Sequence, residues 1–219
     1  MKQKFFLLVP LILMLASCST DHNGSAQIEK WGMYEIRLEG PSEGNPFRGV
    51  ALTAEFRSGE SAVEVKGFYA GNGSYRVRFM PDWEGEWNWR TMSNRSELDG
   101  RKGSFICVVP SADNHGPVEV FDTYHFRYAD GTPYKQVGTT CYAWIHQGDS
   151  LEERTLSTLK QSPFNKLRMC IFPKDYEFNK NEPVFYPFLR DSLGNNDYAR
   201  FDPAFWDHLD ERIRDLQNL

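Results

Sequence analysis

The chain has 219 residues, a formal net charge of −5, and 40% hydrophobic and 15% aromatic residues. An acidic chain without Lys/Arg clusters excludes nucleic acid from the expected partners, and its cysteines show no CxxC spacing. Aromatic residues at this density serve either large β cores or flat ligand-stacking faces.

Lys2 and Lys4 precede an apolar run over 5–16, broken only by Pro10. The run is too short to span a bilayer, which takes roughly 20 residues, and it fits a secretory signal over 1–17. Leu15-Ala16-Ser17-Cys18 resembles the lipobox of bacterial lipoproteins. That resemblance implies lipidation of Cys18, a polar tether over 18–27, and anchoring to a bacterial membrane, periplasmic or cell-surface. An ordinary signal peptide with an accidental cysteine is the alternative. Loss of the two signal lysines takes the charge from −5 to −7. With Cys18 lipidated, Cys107, Cys141 and Cys170 remain, an odd number in apolar runs, where packing as small buried residues is the default and pairing stays open.

From 28 to 110 the pattern is strands and turns. Runs over 31–38, 47–56, 62–70, 74–80, 86–92 and 104–109 are separated by Gly59, Gly71-Asn72-Gly73, Pro81-Asp82 and a 100–103 turn. Short alternating runs at this spacing predict an antiparallel β-sandwich of immunoglobulin-like or carbohydrate-binding-like type. Trp83, Trp87 and Trp89 mark a hairpin across Glu84-Gly85. Strand alternation puts Trp87 and Trp89 on one face, read as the sandwich core, with an exposed stacking platform as the alternative.

A linker and hairpin follow over 111–133. Asp130-Gly131 lies between alternating runs at 124–128 and 134–138, a hairpin signal. Beyond it, 134–140 reads as a strand ending in the loop 141–147. Ser150-Leu151-Glu152-Glu153 reads as a capping box opening a helix to about residue 161, before Pro163. Residues 165–172 read as a second, nearly all-apolar strand. Asp202 is an N-cap with Pro203 at the first helical position, and Phe205, Trp206, Leu209, Ile213 and Leu216 recur at helical spacing. Strands alternating with helices predict a parallel sheet. The fold class expected is thus multidomain: an antiparallel β-sandwich followed by a truncated (β/α)8 TIM barrel over 134–219, its first two β/α units only. A complete barrel takes about 250 residues, so the helix stripe is expected to lack a closed sheet to cover.

The stretch 31–125 resembles the β-sandwich, named only as a domain of unknown function, that precedes certain bacterial glycoside hydrolase barrels. Gly138-Thr139-Thr140-Cys141-Tyr142-Ala143-Trp144 with His146-Gln147, and Leu167-Arg168-Met169-Cys170-Ile171-Phe172-Pro173-Lys174 with Tyr176, resemble the opening of their apiosidase-like (β/α)8 domain. The resemblance implies O-glycosyl bond hydrolysis on complex polysaccharide. It also implies that the two catalytic carboxylates belong to fourth and seventh strands beyond this chain, so none is assigned within it. Asn181-Glu182-Pro183 copies the Asn-Glu-Pro around the acid of some relatives. It sits in a loop after the second strand, and Glu182 is read as solvated or subsite-lining, since geometry decides such roles before residue type.

The substrate-binding candidates are Tyr142, Trp144, His146, Gln147, Arg168, Lys174, Asp175 and Tyr176, at the mouth formed by the two strand ends. Arg168 corresponds in kind to a strand-two arginine that orients the nucleophile in relatives, with a structural ion pair as its alternative, because a buried guanidinium needs a carboxylate. Packing is the alternative for the aromatic candidates. The long polar stretch 179–197 is flagged as functional or disordered. His115, His125, His146 and His208 share no close spacing, so no metal is expected, and no cofactor motif occurs. The expected function is the N-terminal portion of a surface-attached glycoside hydrolase, inactive on its own. The alternative is a non-catalytic carbohydrate-binding or scaffolding lipoprotein, which an aromatic platform exposed on the sandwich would favour. Carbohydrate is the expected partner in both cases, with the membrane reached through the lipid alone.

Overall fold

A computed structural model describes residues 26–219. The signal segment 1–17 and Cys18 lie outside the described residues. Of the expected tether, Ala26 and Gln27 instead open the first strand, paired with Phe105 and Ile106. No helix among the described residues is long and apolar enough to cross a membrane.

Eight strands form the sandwich: β1 (Ala26–Glu29), β2 (Tyr34–Glu39), β3 (Leu52–Ser58), β4 (Ser61–Lys66), β5 (Phe68–Gly71), β6 (Ser74–Phe79), β7 (Gly85–Ser93) and β8 (Lys102–Val108), with the one-turn helix α1 (Pro46–Gly49) between β2 and β3. One sheet runs β1-β8-β7-β3-β4 and the other β2-β6-β5. All pairs are antiparallel except β1 with β8. Period-two alternation builds the core between them. In β6, Tyr75, Val77 and Phe79 point inward while Ser74, Arg76 and Arg78 point outward. Leu52, Ala54 and Phe56 of β3 face them from the other sheet. Phe56 stacks on Phe79 at 4.2 Å and Tyr34 on Phe105 at 4.0 Å. Trp87 is 1% exposed and donates to the Trp83 carbonyl at 2.9 Å, while Trp89 donates to the Tyr34 hydroxyl at 3.0 Å. Both indoles therefore belong to the core, each with its N–H satisfied.

Two strand runs and one hairpin differ from the sequence reading. Trp31 adopts a φ of 66°, which ends β1 before β2 can start. The run 62–70 splits at Gly67, where the chain leaves the five-stranded sheet for the three-stranded one. A Cβ there would lie 2.6 Å from Leu52 Cδ2 and 3.0 Å from Val77 Cγ2, so a side chain has no room at the crossing. The expected hairpin at Glu84-Gly85 is likewise a crossing between sheets, since β7 pairs with β3 and β8 and not with β6.

Residues past the sandwich overturn the expectation of a truncated TIM barrel. β9 (Val118–Phe121) and β10 (His125–Tyr128) form a hairpin whose turn is at Asp122 and Thr123, both at positive φ, and the expected turn at Asp130-Gly131 follows it, with Arg127 bridged antiparallel to Pro133 and the Tyr128 N–H donating to the Thr132 carbonyl at 2.8 Å. Past the sandwich, the one parallel pair among the described residues is β11 (Gly138–Thr140) with β12 (Lys166–Arg168), three residues each, across helix α2 (Asp149–Lys160). The long polar stretch 179–197, flagged as functional or disordered, holds β13 (Phe188–Arg190) and the start of β14 (Asn196–Phe201), which pair as a second antiparallel ribbon followed by α3 (Pro203–Gln217). The sheets are small and unclosed, and strands and helices do not alternate as a barrel requires. Apolar content misled the reading: 165–172 is rich in Leu, Met, Ile and Phe, yet Ile171 and Phe172 lie exposed outside any strand.

The α3 stripe does not wait for a sheet. Phe205 and Leu209 are buried against Trp144, Ile145 and Leu156 in a second core, with Trp206 and Leu216 packed at its edge. Asp202 caps α3 by accepting from the Ala204 N–H at 3.0 Å, with Pro203 next, as the sequence predicts. Gly148, and not Ser150, is the N-cap of α2, although Glu152 reaches back to the Gly148 N–H at 3.2 Å. Glu152, 1% exposed, is paired by Arg212 at 2.8 Å and His208 at 3.0 Å, which locks α2 to α3. Burial opposes the Arg212 charge, but the carboxylates of Glu153 and Glu152 outweigh it and raise the pKa.

Candidate functional site

Parallel pairing of β11 with β12 sets the site. Gly138, Thr139 and Thr140 stand opposite Lys166, Leu167 and Arg168. Two more backbone bonds continue past the strands, Cys141 N–H to the Arg168 carbonyl at 2.9 Å and Cys170 N–H to the Tyr142 carbonyl at 2.8 Å. The loops 141–147 and 169–181 are thereby held side by side.

Five of the eight sequence candidates converge there. Arg168 Cζ lies 5.3 Å and Lys174 Nζ 5.1 Å from the Tyr142 ring centroid, and Lys174 Nζ is also 5.0 Å from that of Tyr176. The Lys174 ammonium is thus shared between two phenol rings, an arrangement each contact of which is worth about 0.5–1 kcal/mol at an exposed site. Gln147 organises the second loop. Its amide nitrogen donates to Asn179 Oδ1 at 2.7 Å and its carbonyl oxygen accepts from Asn181 at 3.2 Å. Asn179 in turn donates to the Lys174 carbonyl at 3.1 Å. The chain of amides fixes the backbone that carries Lys174 and Tyr176.

The other candidates are placed elsewhere. Asp175 is exposed and pairs with Lys180 at 2.9 Å. Trp144 is buried and donates to the Glu152 carbonyl at 3.1 Å. His146 is 3% exposed, stacks on Phe205 at 5.8 Å, and makes no well-aligned hydrogen bond at either ring nitrogen to the described residues. Burial lowers its pKa, only partly offset by the backbone at Cys170. Trp144 and His146 are therefore packing residues of the second core. Arg168 is exposed, so the desolvation argument for a carboxylate partner does not apply, and among the described residues it makes no ion pair.

Sequence reasoning missed Asn179 and Asn181. The flagged stretch 179–197 contained both, but an asparagine in a polar loop carries no signal of the partner that buries it. Glu182 is exposed and accepts from the Tyr186 hydroxyl, a bond that raises the tyrosine pKa. Cys107, Cys141 and Cys170 are free thiols, and burial pushes the pKa of Cys107 and of Cys141 up. No group of three or more His, Cys, Asp or Glu side chains suited to a metal ion occurs among the described residues. The sandwich offers no platform built from Trp87 and Trp89, since both face inward.

The site thus presents two aromatic rings, two cations and a row of amides on adjoining loops. Flat rings beside hydrogen-bond donors suit a ligand with apolar faces and hydroxyl or carboxylate edges. Comparison with known proteins narrows the setting. Residues 27–94, most of the sandwich, match a family described as a domain of unknown function, DUF5060. No curated protein matches the chain. Among solved structures the chain is similar to the crystal structure of a "putative glycoside hydrolase" from Bacteroides vulgatus ATCC 8482, with 42% sequence identity and a TM-score of 0.83 over 89% of this chain. The match takes in 40% of that protein, so the chain spans well under half its length.

Proposed function

We propose that this chain belongs to a surface-attached, glycoside-hydrolase-related protein acting on complex polysaccharide, and that the stretch described here supplies substrate contacts and not the hydrolytic step. The observation that carries the reading is the convergence of Arg168 and Lys174 on Tyr142, at 5.3 Å and 5.1 Å from its ring centroid, with Tyr176 sharing the lysine. A pyranose ring has an apolar face for each phenol and hydroxyls for the cations and the amides of Gln147 and Asn181. The similarity to the Bacteroides vulgatus protein supports the carbohydrate setting.

Hydrolysis needs two carboxylates, about 5 Å apart for retention and about 6.5–9.5 Å for inversion. Glu182, the acidic residue nearest in sequence to a catalytic pattern, has its carboxylate engaged by Tyr186. Lipidation at Cys18 would hold the protein at the membrane through the segment preceding β1. Purified 219-residue chain is expected to release no aglycone from a panel of aryl glycosides. Turnover abolished by Glu182→Gln would contradict the assignment. Cys18→Ser is expected to move the protein from the membrane to the soluble fraction.

A further inference from the structure

A concavity lies where α3 and β14 dock on the outer face of the three-stranded sheet. Its volume is about 350 Å³, within the range of about 300–1,000 Å³ usual for small-ligand sites. We infer that this seam is a separate binding site for one or two neutral sugar units of an oligosaccharide.

The walls are aromatic. Phe47 meets Phe201 at 5.6 Å and 73°, and Phe201 meets Trp206 at 5.5 Å and 90°. Phe201 has one face stacked on Phe188 at 5.3 Å, while its edge-to-face contacts with Phe47 and Trp206 leave those two rings unstacked on it, the kind of surface on which the C–H face of a sugar ring packs. Phe68 closes the sheet side beneath Arg78.

The polar groups divide into one saturated pair and one unsaturated pair. Arg78 is held by Glu35 and by both oxygens of Asp210. The side chain of Arg76, two residues earlier on the same face, makes no hydrogen bond to the described residues. Its Nη2 is 3.3 Å from Asp207, its Nη1 is 3.9 Å from Asp210, and its buried Nε has no partner. Asn45, just before the lining residue Pro46, uses its amide nitrogen on the Ala199 carbonyl but leaves its buried oxygen unpartnered. Buried polar groups are normally paired. An unpartnered donor on the lining residue Arg76, beside the half-exposed carboxylate of the lining residue Asp207, invites a ligand that both accepts and donates.

Charge selects among such ligands. Two arginines face Asp207, Asp210 and Glu35, so the seam holds no surplus of positive charge for a phosphate or a uronate. A vicinal diol matches it, one oxygen accepting from Arg76 and the neighbouring hydroxyl donating to Asp207. Adjacent residues of α3 then serve different sites, Phe205 packing under the Tyr142 loop and Trp206 lining the seam.

The test follows the Trp206 indole N–H by NMR in the 219-residue chain during titration with cellobiose, xylobiose and digalacturonate. A saturable shift with a neutral disaccharide is expected, weakened about tenfold or more by Arg76→Leu, the loss of a charge-assisted hydrogen bond, with the thermal midpoint unchanged. Phe201→Leu, which keeps an apolar wall but removes the ring, is expected to weaken it as well, and it serves where Arg76→Leu does not fold. No saturable shift with either neutral sugar, tighter binding of digalacturonate, or equal binding by the folded variants would overturn the inference.

Discussion

The guanidinium of Arg78 and the carboxylate of Asp210 form a two-pronged ion pair that joins β6 of the sandwich to α3, across 132 residues of sequence. Arg78 is also held by Glu35 at 2.7 Å, and the Asp210 contact raises its pKa despite partial burial. Gly71 and Pro203 complete the joint. A Cβ on Gly71 would sit 2.6 Å from the proline ring. The second core is thus fastened to the sandwich at fixed points, and α3 cannot slide without breaking them.

Asp210→Asn is expected to cost about 2 kcal/mol, because it removes a charge-assisted pair from a seam where both partners are about three-quarters buried. Asp207→Asn, at a side chain 57% exposed, is expected to cost less than about 1 kcal/mol. Urea unfolding of both variants checks the difference, and similar losses from the two would contradict it.

Gly67→Val tests the crossing between sheets. The added atoms would collide with Leu52 and Val77 in the sandwich core, and overpacking of that kind costs about 1–3 kcal/mol. The midpoint of urea unfolding should fall with its slope unchanged.

His146→Phe is expected to stabilise the chain by about 1 kcal/mol at neutral pH, since it removes a buried ring without a well-aligned hydrogen bond while keeping the stack on Phe205. The pH dependence has a definite sign. The unfolded imidazole takes its proton near pH 6.5, whereas burial holds the folded one below that. Between those two values the unfolded state binds more protons, so the parent loses stability as pH falls. Thermal midpoints at pH 8 and pH 5 should therefore show a wider gap in favour of the variant at pH 5.

Much of the sandwich was legible because its strands alternate cleanly, as Tyr75, Val77 and Phe79 do against Arg76 and Arg78. The crossings were not, because Gly67 and the 81–84 segment resemble ordinary turns until the sheet partners are known. The barrel reading failed for a related reason. Composition in 165–172 and the helix stripe of α3 signal burial, but not whether a sheet or another helix provides it. In the candidate site, Tyr142, Arg168, Lys174 and Tyr176 stood out as ring and cation types near strand ends. Trp144 and His146 had the same chemistry and the same loop, and only the fold turns them inward. The seam at Arg76 joins residues far apart in sequence and had no local signal.

Affinity electrophoresis of the 219-residue chain through gels cast with soluble plant-type polysaccharides tests the central claim most directly. Retarded migration in at least one gel is expected, lost in Tyr142→Ala and reduced in Lys174→Ala while both variants keep the parent's thermal midpoint. Mobility equal to a polysaccharide-free gel throughout, or retardation that Tyr142→Ala leaves untouched, would contradict it.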